Sequence, residues 1–327
     1  MVEVDPADLS KPLSEGFPAA TAEKVMRLLG ILRELQSHPA TRGKFTLKGG
    51  TALHVFHWPK APRLSVDLDL MATGFPHAAP RTSERNHVLR SLEEVSGSLG
   101  YKVRTDPSEA VTNLTLSYRN HLGTRDSLKL DIDLLNRVTL LDPVERAGPI
   151  LFDADDLRFP VADPAELMGQ KLTAVAYRHV ERDLFDMYLL LLSGWRSQFP
   201  RARGMYLAYS FLQDHEWARL DYPVRLKVPY DPERLRDVLR GKDAPPSLER
   251  IREQARIHLE SIPRPFTSAT EEEQDLRRRL LEGSREAFGE IAGEPNAARR
   301  RVLSEHPALL WRLQQATRPP KSRKTAE

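Results

Sequence analysis

The chain has 327 residues, a net charge of only +3, 40% hydrophobic and 29% charged residues, and no cysteine. That balance suits a globular protein of about two domains, each with its own core. The missing thiols exclude disulfides, thiolate zinc sites and cysteine nucleophiles, and fit a reducing compartment.

The opening MVEVDPADLSKPL has no apolar signal-peptide core. No run nears the roughly 18 apolar residues of a membrane span, so a cytoplasmic protein with no membrane partner is expected. Residues 1–20 read as irregular, with Pro6, Pro12 and Pro18. TAEKVMRLLGILRELQ then predicts a helix from Thr21 to about Gln36, with Val25, Leu28, Leu29, Leu32 and Leu35 as its apolar stripe.

The stretch Phe45–Leu70 carries the first chemistry. A short apolar strand meets the turn Gly49-Gly50-Thr51, and a helical segment from Thr51 to His57 follows. Paired glycines let a backbone approach a phosphate closely, and free N–H groups at a helix start favour anions. From Leu64 to Leu70, strand alternation puts Ser65, Asp67 and Asp69 on one face and Leu64, Val66, Leu68 and Leu70 on the other. Paired carboxylates on a strand suit a hard divalent cation, which takes carboxylate and phosphate oxygens. No Walker-type phosphate loop is present.

Beyond a loop over 72–83, a helix is predicted from Arg85 to Leu99, closed by Gly100. Strands follow at Tyr101–Arg104 and Val111–Tyr118, and a hairpin connection through Gly123 leads to SLKLDIDLLNR. There Leu128, Leu130, Ile132 and Leu134 face one way, and Lys129, Asp131 and Asp133 the other. If this strand neighbours the first acidic one, three or four carboxylates meet, which is costly without a cation. Spacing leaves Asp131 and Asp133 as equal candidates.

Residues 142–164 are Pro-punctuated and read as a linker. Asp163 as N-cap and Pro164 at the first position start the next helix. If that helix is continuous, Lys171, Arg178 and Arg182 form a basic stripe within about 40°; a break around His179–Glu181 would interrupt it. The remainder to about Thr317 is helix-rich, and the charge run 271–282 reads as a solvated face. From Arg299 onward eight basic residues face two acidic ones, as a nucleic-acid footprint or a disordered, solubilising tail would. Neither a His-Glu-x-x-His metal pattern nor a Gly-x-Ser-x-Gly elbow occurs.

In combination, LKGGTAL, RLSVDLDL, KLDID, QKLTAVAYRHVERDLFDMYLL and HPALLWRL resemble the AbiEii/AbiGii-type nucleotidyltransferase toxins, which include the mycobacterial MenT group. The resemblance is good over about residues 40–195 and loose beyond. It implies an α/β (α+β) fold: a DNA polymerase β-like nucleotidyltransferase core with a mixed sheet, then a helical C-terminal region. The expected division is an irregular segment 1–20, a core 21–150, a helical domain 151–317 completing the cleft, and a disordered basic tail 318–327.

It further implies transfer of nucleotides from a nucleoside triphosphate to the 3′ end of tRNA, blocking translation, with two Mg²⁺ ions (Mn²⁺ as a substitute). A cognate antitoxin, often winged-helix, restrains such toxins. By residue, the resemblance implies Asp67, Asp69 and Asp131 as catalytic metal ligands, with Asp133 sharing Asp131's face, and Lys171 as catalytic triphosphate contact. Lys48, Gly49, Gly50, Thr51, Ser65, Arg178, Arg182 and Asp186 are expected around the nucleotide. In some relatives the serine at the position of Ser65 is a target of inactivating phosphorylation. Two other readings compete: the same transfer to a protein or small molecule, and an inert interaction protein with a structural acidic face.

Overall fold

The computed structural model describes residues 6–58, 60–75, 81–106, 108, 110–178, 180–221, 226, 229–241 and 243–316. The expected basic tail from 318, the loop prolines Pro59, Pro76 and Pro80, and His179 lie outside them.

Seven strands form one mixed sheet in the order β3-β4-β5-β2-β1-β7-β6. They are β1 (Thr46–Lys48), β2 (Asp67–Met71), β3 (Lys102–Asp106), β4 (Val111–Arg119), β5 (Arg125–Asp133), β6 (Val144–Ala147) and β7 (Arg158–Val161). β2 sits at the centre, antiparallel to β1 and parallel to β5. Alternation explains its two faces: Leu68 and Leu70, with Leu47, Leu130 and Ile132 from its neighbours, are fully buried in one core. That core includes α2 (Ala19–Ser37) and α4 (Arg81–Ser98), which follow α1 (Ser10–Ser14) and α3 (Gly49–Thr51) in the numbering used here. The opposite, acidic face looks toward α5 (Pro164–Tyr177).

A second apolar core gathers α5, α6 (Glu181–Leu192) and α7 (Phe199–Gln213) with the later helices. These are α8 (Leu248–Ala255), α9 (Glu271–Leu281), α10 (Ala287–Ile291), α11 (Ala297–Ser304) and α12 (Pro307–Ala316). α9 starts with a capping box between Thr270 and Glu273, and its charge run still buries Leu276 and Leu280. No helix among the described residues is long and apolar enough to cross a membrane.

Several expectations change. The stretch 142–164 is no linker: β6 and β7 extend the sheet, with Leu47 beside Val161, so a boundary at 150 cuts through it. Residues 10–14 and 19–20 are helical, within the segment expected to be irregular. The first acidic strand begins only at Asp67, because Leu64 N–H bonds Val238 O at 2.8 Å instead of a strand. The basic stripe is not one helix: α5 ends at Tyr177, Arg178 is extended, and α6 restarts at Glu181.

Candidate active site

Strand register assembles the floor of the site. Lys48 on β1 pairs with Asp69 on β2, Asp69 with Asp131 on β5, and Asp131 with Asn113 on β4. The two carboxylates therefore stand side by side on adjacent parallel strands. Burial first, and then the neighbouring Asp69 and Asp67 carboxylates, push Asp131 up to about 6. Burial also raises Asp69, against the pull of Lys48 and Lys171.

Asp133 has a different occupation. It is buried, binds the Lys48 ammonium, and accepts from Asn136 N at 2.8 Å, Leu135 N at 3.1 Å and Asn136 Nδ2 at 2.9 Å. Although burial opposes it, Lys48 and these donors keep Asp133 below the usual carboxylate range. Against the same cost of burial, Asp133 holds the Lys48 ammonium above its ordinary value. Of the two candidates left open by spacing, Asp131 is the one beside Asp69.

The Gly-Gly-Thr turn is dictated by what it touches. Gly49 has φ +72°, and a Cβ there would lie 1.9 Å from Asp69 Oδ2. A Cβ on Gly50 would lie 2.6 Å from Ser65 Oγ and 3.0 Å from Arg63 Nη2. Only glycine lets this turn lie against the carboxylate strand. The chain continues from α3 as a π-type turn, Ala52–His57. Thr51 is buried, and its hydroxyl donates to Asp67 O at 2.6 Å.

Above the floor lies an ion-pair network. Asp186, with no exposed surface, accepts from Arg63 Nε at 2.7 Å and Nη2 at 2.8 Å. His54 Nε2 is 2.7 Å and Lys171 Nζ 2.6 Å away from the same carboxylate. Burial alone would raise Asp186; Arg63, Lys171 and His54 hold it well below its ordinary value. Burial and Arg63 push His54 down to about 3, so its imidazole is neutral and donates through Nε2. Asp183 takes Arg178 Nε at 2.6 Å and Nη2 at 2.9 Å, with Lys171 Nζ at 3.4 Å. Arg182 Nη1 meets Asp67 Oδ2 at 3.0 Å.

A cleft of about 570 Å³ opens over this arrangement, lined by Lys48, Gly49, Asp69, Asp131, Lys171 and Arg178 among the expected residues. Gly50, Thr51, Ser65, Asp67, Arg182 and Asp186 do not line it. Asp186, expected at the nucleotide, pairs with Lys171. Among the described residues no three His, Cys, Asp or Glu side chains converge as a complete metal cage. Of the expected set, Asp69 and Asp131 line the cleft, whereas Asp67 pairs with Arg182 and does not. Asp69 and Asp131 still fit a Mg²⁺ ion whose other ligands are phosphate oxygens and water, since such ions commonly take only one or two carboxylates.

Sequence reading missed Arg63, which has no periodic signal and finds its partner 123 residues away. It also missed Glu166, buried and accepting from Leu141 N at 2.9 Å, Leu140 N at 3.2 Å and Tyr209 OH at 2.6 Å. The basic C-terminal cluster is partly structural: Arg299 donates to Thr139 O, Arg300 to Glu294 O and Pro295 O, and Arg312 to Leu212 O and Gln213 O.

A mixed sheet with adjacent carboxylates, a glycine turn and basic side chains over one cleft is the layout of a nucleotidyltransferase. The family described as "Nucleotidyl transferase AbiEii toxin, Type IV TA system" matches residues 30–264, and the chain belongs to it. Among solved structures it is similar to MenT4, a nucleotidyltransferase toxin from Mycobacterium tuberculosis H37Rv. The TM-score is 0.54 at 15% identity, over 96% of this chain and 98% of that one, a likeness that speaks for the fold alone. No curated protein matches.

Proposed function

We propose that this protein is a Mg²⁺-dependent toxin that moves nucleotides from a nucleoside triphosphate onto the 3′ end of tRNA in the cytoplasm, restrained by a cognate antitoxin, of winged-helix type. The acceptor hydroxyl loses its proton to solvent, its oxygen bonds the α-phosphorus, the bond from that phosphorus to the oxygen bridging to the β-phosphate breaks, and pyrophosphate leaves with that oxygen. The observation that carries the reading is the register that sets Asp69 beside Asp131 in a cleft also lined by Lys48, Lys171 and Arg178.

Asp69 and Asp131 would hold the cation, with Asp67 joining them when it releases Arg182. The cation, when bound, supplies positive charge to the triphosphate and favours the ionised acceptor oxygen. Gly49 and Gly50 let the turn lie against Asp69, Ser65 and Arg63, which would bring the backbone of Gly49 to the edge of the cleft where a phosphate is taken. Lys171, fixed by Asp186 and Asp183, places one positive charge in the cleft wall without moving to do so. Arg178 keeps an exposed guanidinium while Asp183 orients it, suiting it to a phosphate oxygen. Arg182, once off Asp67, would add a second guanidinium for the phosphates, and Ser65 would buttress the turn through Gly50.

The test is incubation of the full chain with each labelled nucleoside triphosphate, Mg²⁺ and total tRNA. Wild type should label RNA 3′ ends and Asp69→Ala should not. Unlabelled RNA with every nucleotide, or equal labelling by the variant, refutes the proposal, and a labelled protein band redirects it to another acceptor.

A further inference from the structure

The cleft has two kinds of lining. Carboxylates and cations form part of it, whereas Tyr177, Leu212, Ala308 and Trp311 contribute apolar surface. Asn136 lines it too; its Nδ2 donates to Asp133, and its Oδ1 is buried with no hydrogen-bond partner. An orphaned acceptor calls for a ligand that donates. A triphosphate offers only acceptors, whereas a nucleoside brings sugar hydroxyls and base N–H groups.

Trp311 sits on α12, beyond residue 264 where the family match ends. Its helix is firmly tied. Arg312 Nε and Nη2 bond Leu212 O at 2.8 and 2.6 Å, and Nη2 bonds Gln213 O at 2.6 Å. These are carbonyls at the end of α7, where a helix leaves acceptors free. The same guanidinium lies 5.2 Å from the Trp311 ring centroid, Leu309 is fully buried, and Ala308 N–H bonds the buried His306 at 3.2 Å. The indole is half-buried, anchored through its neighbour, and lines the cleft.

We infer that α12 supplies the nucleobase subsite, with Trp311 as the stacking platform for the base of the incoming nucleoside triphosphate. This rests on the nucleotidyltransferase reading and adds what that reading lacks, a means of holding the base as well as the phosphates. The cleft volume is in the range that takes a small organic ligand. Stacking on an aromatic ring accepts any base, so choice among bases falls to polar neighbours such as Asn136.

The experiment is calorimetric titration of wild type, Trp311→Ala and Trp311→Phe with the four nucleoside triphosphates and with inorganic tripolyphosphate, all with Mg²⁺. The alanine variant should lose roughly ten- to a hundred-fold in affinity for the nucleotides, the usual range for losing one base–aromatic stack. Phenylalanine should restore most of it, and tripolyphosphate should bind all three proteins alike. Unchanged nucleotide affinity in Trp311→Ala overturns the assignment. So does an equal loss for tripolyphosphate, which marks a collapsed cleft, or a defect confined to the acceptor RNA, which moves the ring to the other substrate. Failure of wild type to bind any nucleotide overturns the nucleotidyltransferase reading itself and this inference with it.

Discussion

Replacing Arg63 by methionine isolates the link between the Gly-Gly-Thr turn and Lys171. Arg63 is 2% exposed, and its two hydrogen bonds to Asp186 are 2.7 and 2.8 Å long. Each charge-assisted bond is worth about 1.5–3 kcal/mol, and removing one member of a buried pair typically costs about 3–5 kcal/mol. Lys171 and His54 still flank Asp186 after the change, which places the expected loss at the lower end, about 3 kcal/mol. Urea unfolding should show a lower midpoint at an unchanged slope. His54, relieved of the Arg63 charge, should titrate above its present value of about 3. In a cycle with Asp186→Leu, the double variant should lose less than the sum of the singles by about 2 kcal/mol. A loss under about 1 kcal/mol, or additivity within about 0.5 kcal/mol, would refute the claim that Arg63 carries the Asp186 charge.

Asp131→Asn tests the crowding of carboxylates. The native pKa of about 6 lies above the ordinary 3.8, so the native state holds this proton longer than the unfolded chain does. This group's contribution is therefore fully present below the ordinary value and lost as pH rises through about 6. Metal-free Asp131→Asn should melt higher than wild type at pH 8, by about 1–2 kcal/mol after allowing for solvent screening of a half-buried group, with the gap closing at acid pH; a lower melting point at pH 8 contradicts it. For the C-terminal arginines, the paired change Arg299→Ala and Arg300→Ala should lower stability by about 1–2 kcal/mol through orphaned carbonyls. It should leave the salt dependence of RNA binding alone, and a slope reduced by about 2 would instead show phosphate contacts.

What the sequence made legible follows from range. Asp67–Leu70 and Leu128–Asp133 alternate because Leu68, Leu70, Leu128, Leu130 and Ile132 pack in the sheet core while Asp69 and Asp131 meet the cleft, so the acidic faces could be read without knowing the pairing. Asp163 and Pro164 announce α5 through chemistry contained in three residues, and Asp163 Oδ1 does accept from Ala165 N at 2.8 Å. β6 and β7 were illegible because four-residue strands carry too little period, and Pro160 argues against a strand until β1 is known to lie alongside. Arg299 and Arg312 read as part of a basic terminus, and Arg63 carried no signal at all, because each partner lies 100 or more residues away. Periodicity reports which side of an element is apolar and is silent about which distant carbonyl a guanidinium will find.

The π-type turn after Thr51 has a mechanical consequence. Its wider winding sends Leu53 into the helical core while Ala52, Val55 and Phe56 enter the sheet core. Asp186 fastens the same joint through Arg63 on one side and Lys171 on the other. Two cores stitched together beside the Gly49–Thr51 turn have no hinge there. The floor of the cleft is a fixed anvil, and whatever selects the substrate must act at its open rim.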